Sequence, residues 1–250
     1  MFTSTSEILS RYPAVLHGTL EPLGNAGGFS GAQLWRLRTS AGDFCLKAFP
    51  TGGRPASEIA WMHRLLDAAL VLPFVPRVIR TSDGASVVEH GGRCWELLSW
   101  MPGRADFAVD PRRERLMAAC TALAELHLAW IPRVQETGVC PAVLRRLDAW
   151  HDWRHHPRPR VEGPYAEPCA TLLRLIESRV DWLCASLTPW RTRPVALQPC
   201  VCDLWHDHVL FVGNTVGGFI DFGSAKIDHV AVDLARLLGS LVGDDVALWD

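Results

Sequence analysis

The chain has almost no lysine: of its 25 basic residues only Lys47 and Lys226 are lysine, and the rest are arginine. A lysine kept in such a background points to a need for a compact ammonium at that place. There is no basic excess either. The formal net charge is −2, which argues against a nucleic-acid partner. No run of about 18 apolar residues occurs, so no membrane span is expected. The eight cysteines are scattered, with only Cys200 and Cys202 close together and no Cys-x-x-Cys. That excludes a zinc ribbon and provides no disulfide framework. Residues 1–10 lack a basic segment leading into an apolar one, so no signal peptide is read, and the expectation is a cytoplasmic protein with reduced thiols. Internal repeats and low-complexity segments are absent, and oligomeric state is left open.

What is present is a globular composition. The chain has 250 residues, 48% hydrophobic and 21% charged, enough for one large domain or two lobes sharing a cleft. The first hundred residues read as strands with one helix. Residues 18–24 have strand character, and Ala32, Leu34 and Arg36 continue an alternating pattern after a glycine-rich loop. Residues 44–49 form the next strand, and 56–70 carry Ile59, Met62, Leu65 and Leu66 at helical spacing. Residues 75–80, 85–89 and 94–100 look like further strands. Met101-Pro102-Gly103 marks a boundary, after which the periodicity turns helical. Asp110 is placed to cap a helix with Pro111 at its first position and Leu116, Cys120, Leu123 and Leu126 as its stripe. A short helix over 142–153 and a longer one over 167–187 follow, the latter with Leu172, Leu175, Ile176, Val180 and Leu183 facing inward. Strands at 195–198, 209–212 and 217–221 enclose a polar loop, and 230–241 reads as a final helix. This order predicts an α+β, two-lobed molecule: a nucleotide-binding lobe of antiparallel strands over residues 1–100, and a larger, mainly helical catalytic and substrate lobe over 101–250. Clefts between two such lobes are favoured ligand sites.

The chemistry concentrates between residues 202 and 223. Asp203 follows a strand, His208 comes five residues later, and Asp221-Phe222-Gly223 ends a hairpin. One carboxylate to orient an attacking hydroxyl and two groups to hold a divalent ion on nucleotide phosphates are what phosphoryl transfer needs. Asp203 alone would read as a turn residue. Asp221 ends an apolar strand, where a charge is costly unless paired or bound to a cation. Lys47 lies on an alternating strand and Glu58 opens the next helix, an order that allows an ion pair placing the ammonium on the α- and β-phosphates. An exposed lysine and a glutamate serving the helix dipole is the plainer account. The loop 24–31 has four glycines in eight residues. Its Gly27, Gly28 and Ser30 are candidates to close backbone N–H groups on phosphates, although any long hairpin uses glycine in this way. Residues 95–100 read as the linker strand bordering an adenine pocket, with Glu96 and Leu98 as nucleotide contacts, or equally as core. His127, after Leu126, reads as a satisfied core histidine.

The order of these motifs resembles the aminoglycoside phosphotransferase-like family, part of the protein-kinase-like fold. Its members carry His-Gly-Asp-Leu-His-x-x-Asn, then Ile-Asp-Phe/Trp-Gly, then Asp-Leu-Ala. Here these stretches are Val201-Cys202-Asp203-Leu204-Trp205-His206-Asp207-His208, Ile220-Asp221-Phe222-Gly223 and Asp233-Leu234-Ala235. Ala124-Glu125-Leu126-His127 looks like the family's Leu-x-x-Leu-His helix end. The resemblance implies Asp203 as the catalytic aspartate, Asp221 as a Mg²⁺ ligand, Lys47 and Glu58 as the phosphate-positioning pair, and Asp233 as a brace for the catalytic loop. It also implies ATP or GTP as phosphate donor and a small-molecule hydroxyl as acceptor. Two departures stand out: Val201-Cys202 replaces His-Gly, and His208 replaces the metal-binding asparagine. Imidazole suits Mn²⁺ or Zn²⁺ better than Mg²⁺, so either the ion differs, or Asp221 and waters hold Mg²⁺ alone, or the site is weak. Relatives continue with more helices after Asp-Leu-Ala, so the lobe reads as truncated or unusually short.

Two alternatives compete with the phosphotransferase. His208 and Val201-Cys202 are consistent with a degenerate relative that binds nucleotide without turnover. His206, Asp207 and His208 also suggest a metal-dependent hydrolase, since His-x-His on a strand places both rings on one face. No separate cluster supplies its remaining ligands.

Overall fold

The computed structural model describes residues 2–24, 31–131, 136–158 and 160–249. It opens on a helix, α1 (Phe2–Leu9), and then builds a sheet from β1 (Thr19–Gly24), β2 (Gln33–Thr39), β3 (Gly42–Ala48), β4 (Val78–Ile79), β5 (Val88–His90) and β6 (Arg93–Ser99), with α2 (Ala56–Ala68) crossing between β3 and β4. The strands pair antiparallel in the order β1-β2-β3-β6, and β6 carries both β4 and β5. The reading of a single helix here missed α1, whose Thr- and Ser-rich Phe-Thr-Ser-Thr-Ser-Glu-Ile-Leu has low helix propensity. It forms because Ile8, Leu9 and Tyr12 bury against Leu37, Phe44, Leu46 and Trp95 on one face of the sheet.

The remainder comprises α3 (Arg113–Trp130), β7 (Glu136–Val139), α4 (Pro141–His155), α5 (Ala166–Leu187), β8 (Pro194–Cys200), the hairpin of β9 (Val209–Val212) and β10 (Thr215–Phe219), β11 (Lys226–Asp228), α6 (Ala231–Leu241) and α7 (Val246–Trp249). β8 lies between β7 and β11. α3 starts at Arg113, not at the expected Asp110 cap. Arg115 explains the difference: its buried guanidinium lies 4.2 Å from the centre of the Phe211 ring and draws in the Asp106 carboxylate and the Asp110 carbonyl, so residues 106–110 wrap it instead of starting the helix. The expected inward face of α5 is also corrected. Only Val180 is buried, while Leu172 and Leu175 are exposed, because among the described residues few partners pack against this helix.

One apolar core spans the β-rich and helical portions. Phe49, Ile59, Leu66 and Phe74 pack in the same cluster as Leu126, Trp130, Val201, Leu204 and Phe222. Trp130 is fully buried and its indole N–H donates to the Leu65 carbonyl of α2 at 2.8 Å, so a large apolar ring and its polar handle are both satisfied across the junction. The connector runs tight against the hairpin: Arg104 exchanges two backbone hydrogen bonds with Phe211, 3.1 and 2.9 Å. A Cβ on Gly217 would sit 2.6 Å from the Pro102 carbonyl oxygen, so only glycine admits that approach. No described helix is long and apolar enough to cross a membrane.

Candidate active site

Among the described residues, only two non-glycine residues adopt a left-handed backbone: Cys202 (φ 64°) and Asp221 (φ 56°). Such conformations cost free energy and persist where surrounding contacts over-determine them. Both flank the predicted site. At Cys202 the restraint is Asp233, a fully buried carboxylate in the first turn of α6. It accepts from the backbone N–H of Val201 at 2.7 Å and of Cys202 at 2.6 Å, and it bonds the His127 ring at 2.9 Å. Cys202 stands where the resembled motif has glycine, so its left-handed backbone continues that motif's geometry at a steric cost. His127 is thereby a core histidine tied to the loop brace.

The loop then turns Asp203 outward. Its carboxylate is 39% exposed and lies 2.9 Å from Arg236 Nη2 on α6. His208 closes the loop through both ring nitrogens. Nδ1 is 2.7 Å from the Asp203 carbonyl oxygen, and Nε2 is 3.0 Å from the Trp205 indole nitrogen. An indole N–H can only donate, so Nε2 carries the lone pair and Nδ1–H donates to Asp203. Nε2 is also 3.8 Å from Asp221 Oδ2. A chain of contacts therefore runs from Asp203 through His208 to Asp221.

Strand alternation brings in the N-terminal sheet. Phe44, Leu46 and Ala48 bury on one side of β3, which turns Lys47 to the other side, and its Nζ lies 2.7 Å from Asp221 Oδ1. Burial pushes the Lys47 ammonium down, but Asp221 and Glu96 more than offset that and hold it above its ordinary value. Burial likewise pushes the Asp221 carboxyl up, and Lys47 outweighs it, with the Gly223 N–H adding to the downward pull. Both groups are therefore charged at neutral pH.

Glu58 does not form the expected pair with Lys47. It is exposed in the first turn of α2 and lies 3.8 Å from Arg54. The polar residue of α2 that turns inward is His63, five residues further along, and it bonds Glu96 at 2.8 Å with both side chains buried. Glu96 pairs directly opposite Lys47 in the β3–β6 register. Its carboxylate is spent on His63 inside the fold, where it acts as a buried electrostatic partner of Lys47. Leu98 is half-buried and packs against the main core. Gly27, Gly28 and Ser30 lie outside the described residues.

The hydrolase alternative fails on local structure. His206–His208 is a single 3₁₀ turn, not a strand, so the two rings do not share a face. His206 pairs with Asp207 at 3.3 Å while His208 faces Trp205. The only described group of three metal-capable side chains, His127, Cys200 and Asp233, is buried and already engaged in hydrogen bonds. For a divalent cation at Asp221 the donors fit better. A carboxylate with an accessible edge is the hard ligand Mg²⁺ uses, with phosphates and water completing its shell. The separation of Asp221 Oδ2 and His208 Nε2 is one that a single ion can bridge, but imidazole ligation requires Trp205 to withdraw its N–H.

Trp205, Arg236, His63 and the backbone of Cys202 were not singled out by motif reading. Arg236 carried a usable signal: it sits three residues after Asp233 on one helix, so both face the same loop.

A β-rich portion presenting a lysine to an Asp-Phe-Gly aspartate, above a helical portion that braces a second aspartate, defines a protein-kinase-like fold. Solved structures agree. An aminoglycoside phosphotransferase from Alicyclobacillus acidocaldarius superposes with a TM-score of 0.60 at 18% identity, covering 94% of this chain and 70% of that one. A spectinomycin phosphotransferase in complex with ADP and spectinomycin gives 0.66 at 12% identity, covering 97% and 75%. The chain belongs to the phosphotransferase enzyme family known as APH, whose family model matches residues 22–250. Among curated proteins it is 30% identical over 220 residues to the homoserine kinase of Acidiphilium cryptum, covering 82% of this chain and 60% of that protein. Against the homoserine kinase of Gluconacetobacter diazotrophicus it is 30% identical over 224 residues, covering 86% and 63%. The chain thus spans about three fifths of the length of these relatives.

Proposed function

We propose that this protein transfers the γ-phosphate of ATP or GTP to a hydroxyl of a small molecule. The observation that carries this reading is the meeting of Lys47 and Asp221 at 2.7 Å, linked through His208 to the loop of Asp203. Lys47, kept cationic by Asp221 and the buried Glu96, neutralises phosphate oxygens, and Gly27, Gly28 and Ser30 supply the phosphate-facing loop. Leu98 borders the base. Asp221 holds the divalent cation, Mg²⁺ or Mn²⁺, which when bound offsets the charge of the phosphates. Asp203 orients the acceptor hydroxyl and takes its proton, its carboxylate held in position by Arg236. Most of the catalysis in such a site is positioning and electrostatics.

The relatives named homoserine kinase and aminoglycoside phosphotransferase support a small hydroxylated acceptor and diverge on which one. Screening ATP and GTP consumption over hydroxylated metabolites, with Mg²⁺ and Mn²⁺ in parallel, tests the reading. Asp203→Ala is expected to abolish transfer while leaving the melting temperature within a few degrees. Undiminished turnover in that variant refutes the assignment.

A second reading, nucleotide binding without turnover, is favoured by one contact: the Trp205 N–H on His208 Nε2 occupies the lone pair that a metal would need. Nucleotide-induced thermal stabilisation with no ATP consumption under either ion would select it.

A further inference from the structure

Arg236 enters the mechanism above only as a support for Asp203, with most of its donors unused. Arg236 projects from α6 beside the exposed edge of the catalytic loop, with its side chain 49% exposed. It contacts Asp203 through Nη2 at 2.9 Å, and its guanidinium carbon lies 5.6 Å from the centre of the Trp205 ring. A guanidinium has five N–H donors in a planar fork, so one bond to Asp203 leaves most of that fork open beside the carboxylate that would orient the acceptor hydroxyl. Lys226, the second of only two lysines, heads β11 opposite Cys200 and makes no ion pair with any described acid. It is near enough to Cys202 to pull that thiol down against the larger upward push of burial.

The acids around these two cations are already committed. Asp228 is fully buried and bound to Arg145 at 2.5 Å, Asp233 is buried on the loop amides, and Asp207 turns to His206. Arg145 is held by Asp228 and Lys47 by Asp221, so Arg236 is the cation set beside the Asp203 carboxylate. A polycationic acceptor would meet a guanidinium here; an acceptor with a single negative charge would find an open fork. The guanidinium already holds one carboxylate, and a second can use its other edge.

We propose that Arg236 recognises a carboxylate on the acceptor and thereby selects hydroxylated carboxylic acids over neutral or polycationic alcohols. This rests on the phosphotransferase reading for the location of the acceptor, and goes beyond it in assigning the acceptor's charge and the residue that reads it. Arg236 touches the substrate in this account, so it is a specificity residue and not only a support for Asp203.

The test is calorimetric binding to the full chain in the presence of ADP, using L-homoserine, its carboxamide, a hydroxyalkyl phosphate and an aminoglycoside as probes. The acid should bind roughly 10- to 100-fold more tightly than its amide, the range expected for a charge-assisted hydrogen bond. Arg236→Gln should bring that ratio close to one, and Arg236→Lys should keep part of it, since lysine retains the charge without the fork. Equal binding of acid and amide, no binding of the acid, a ratio that survives Arg236→Gln, or tighter binding of the phosphate or the aminoglycoside would each overturn the proposal. If Arg236 only orients Asp203, its loss lowers kcat for acid and amide alike and leaves their binding ratio intact, which also overturns it. ATP consumption measured in parallel reports on the phosphotransferase reading separately: a bound acid with no ADP released refutes transfer and leaves the recognition site standing.

Discussion

Replacing Asp233 with asparagine is the sharpest perturbation of this molecule, because it keeps the shape of the side chain and removes only its ability to accept on both oxygens. The carboxylate takes the Val201 and Cys202 N–H groups on Oδ2 and Oδ1 at 2.7 and 2.6 Å, with His127 as a third partner. An asparagine carbonyl can still accept one of these donors, but its NH₂ then faces the other. That strands a buried N–H, at a cost of about 1–3 kcal/mol, and the remaining bonds lose charge assistance of similar size. The total is about 3–5 kcal/mol, in line with breaking a buried charge network from one side. For a chain of this length that corresponds to a fall in melting temperature of roughly 10 °C. Thermal and urea unfolding measure the loss, and amide hydrogen exchange locates it at Val201 and Cys202. Because Cys202 is held left-handed by the same carboxylate, transfer activity should fall further than the folded fraction does. A variant that melts within about 2 °C of the parent, with both amides equally protected, would refute the claim that Asp233 holds the loop in its strained form.

Cys202→Gly should fold with a change of only about 1 kcal/mol, since relief of a left-handed β-carbon roughly offsets the entropy of glycine, whereas Cys202→Val should lose about 1–3 kcal/mol. Equal stability of the two by urea titration would show that the backbone there is not left-handed. Trp205→Phe removes the N–H that occupies His208 Nε2 and should tighten Mn²⁺ binding measured by electron paramagnetic resonance; unchanged affinity would mean that the imidazole lone pair is not what the indole blocks. At Asp228, burial pushes the carboxyl up, but Arg145 and the N–H groups of His229 and Ala142 more than offset it and hold the group below its ordinary value of 3.8. The folded state therefore favours the charged form. Its contribution is complete above that ordinary value and is lost as pH falls through the lower folded one. Melting curves should decline in acid less steeply for Asp228→Asn than for the parent, and parallel curves below pH 4 would contradict the shift.

The sequence by itself was enough to single out Asp203 and Asp221, to set Lys47 on an alternating strand, and to give an α+β molecule with an antiparallel sheet before its longest helices. Those signals are local: alternation on β3 sets the side of Lys47, the apolar strand before Asp221 isolates a charge, and the stripe of α3 marks its buried face. The partners of these groups were decided by the tertiary structure. Glu58 and His63 both lie on α2, and only the packing angle of the helix decides which one turns inward, so the carboxylate behind Lys47 comes from Glu96 on a neighbouring strand. His208 looked like a metal ligand by position, yet its ring is shared between a backbone carbonyl and an indole three residues away, because a 3₁₀ turn stacks residues that a strand would separate. Arg236 reaches the loop only after α6 folds back beside it. Spacing along a chain carries the chemistry each residue is capable of; which neighbour uses it depends on long-range packing, where a few ångströms choose between partners of similar local propensity.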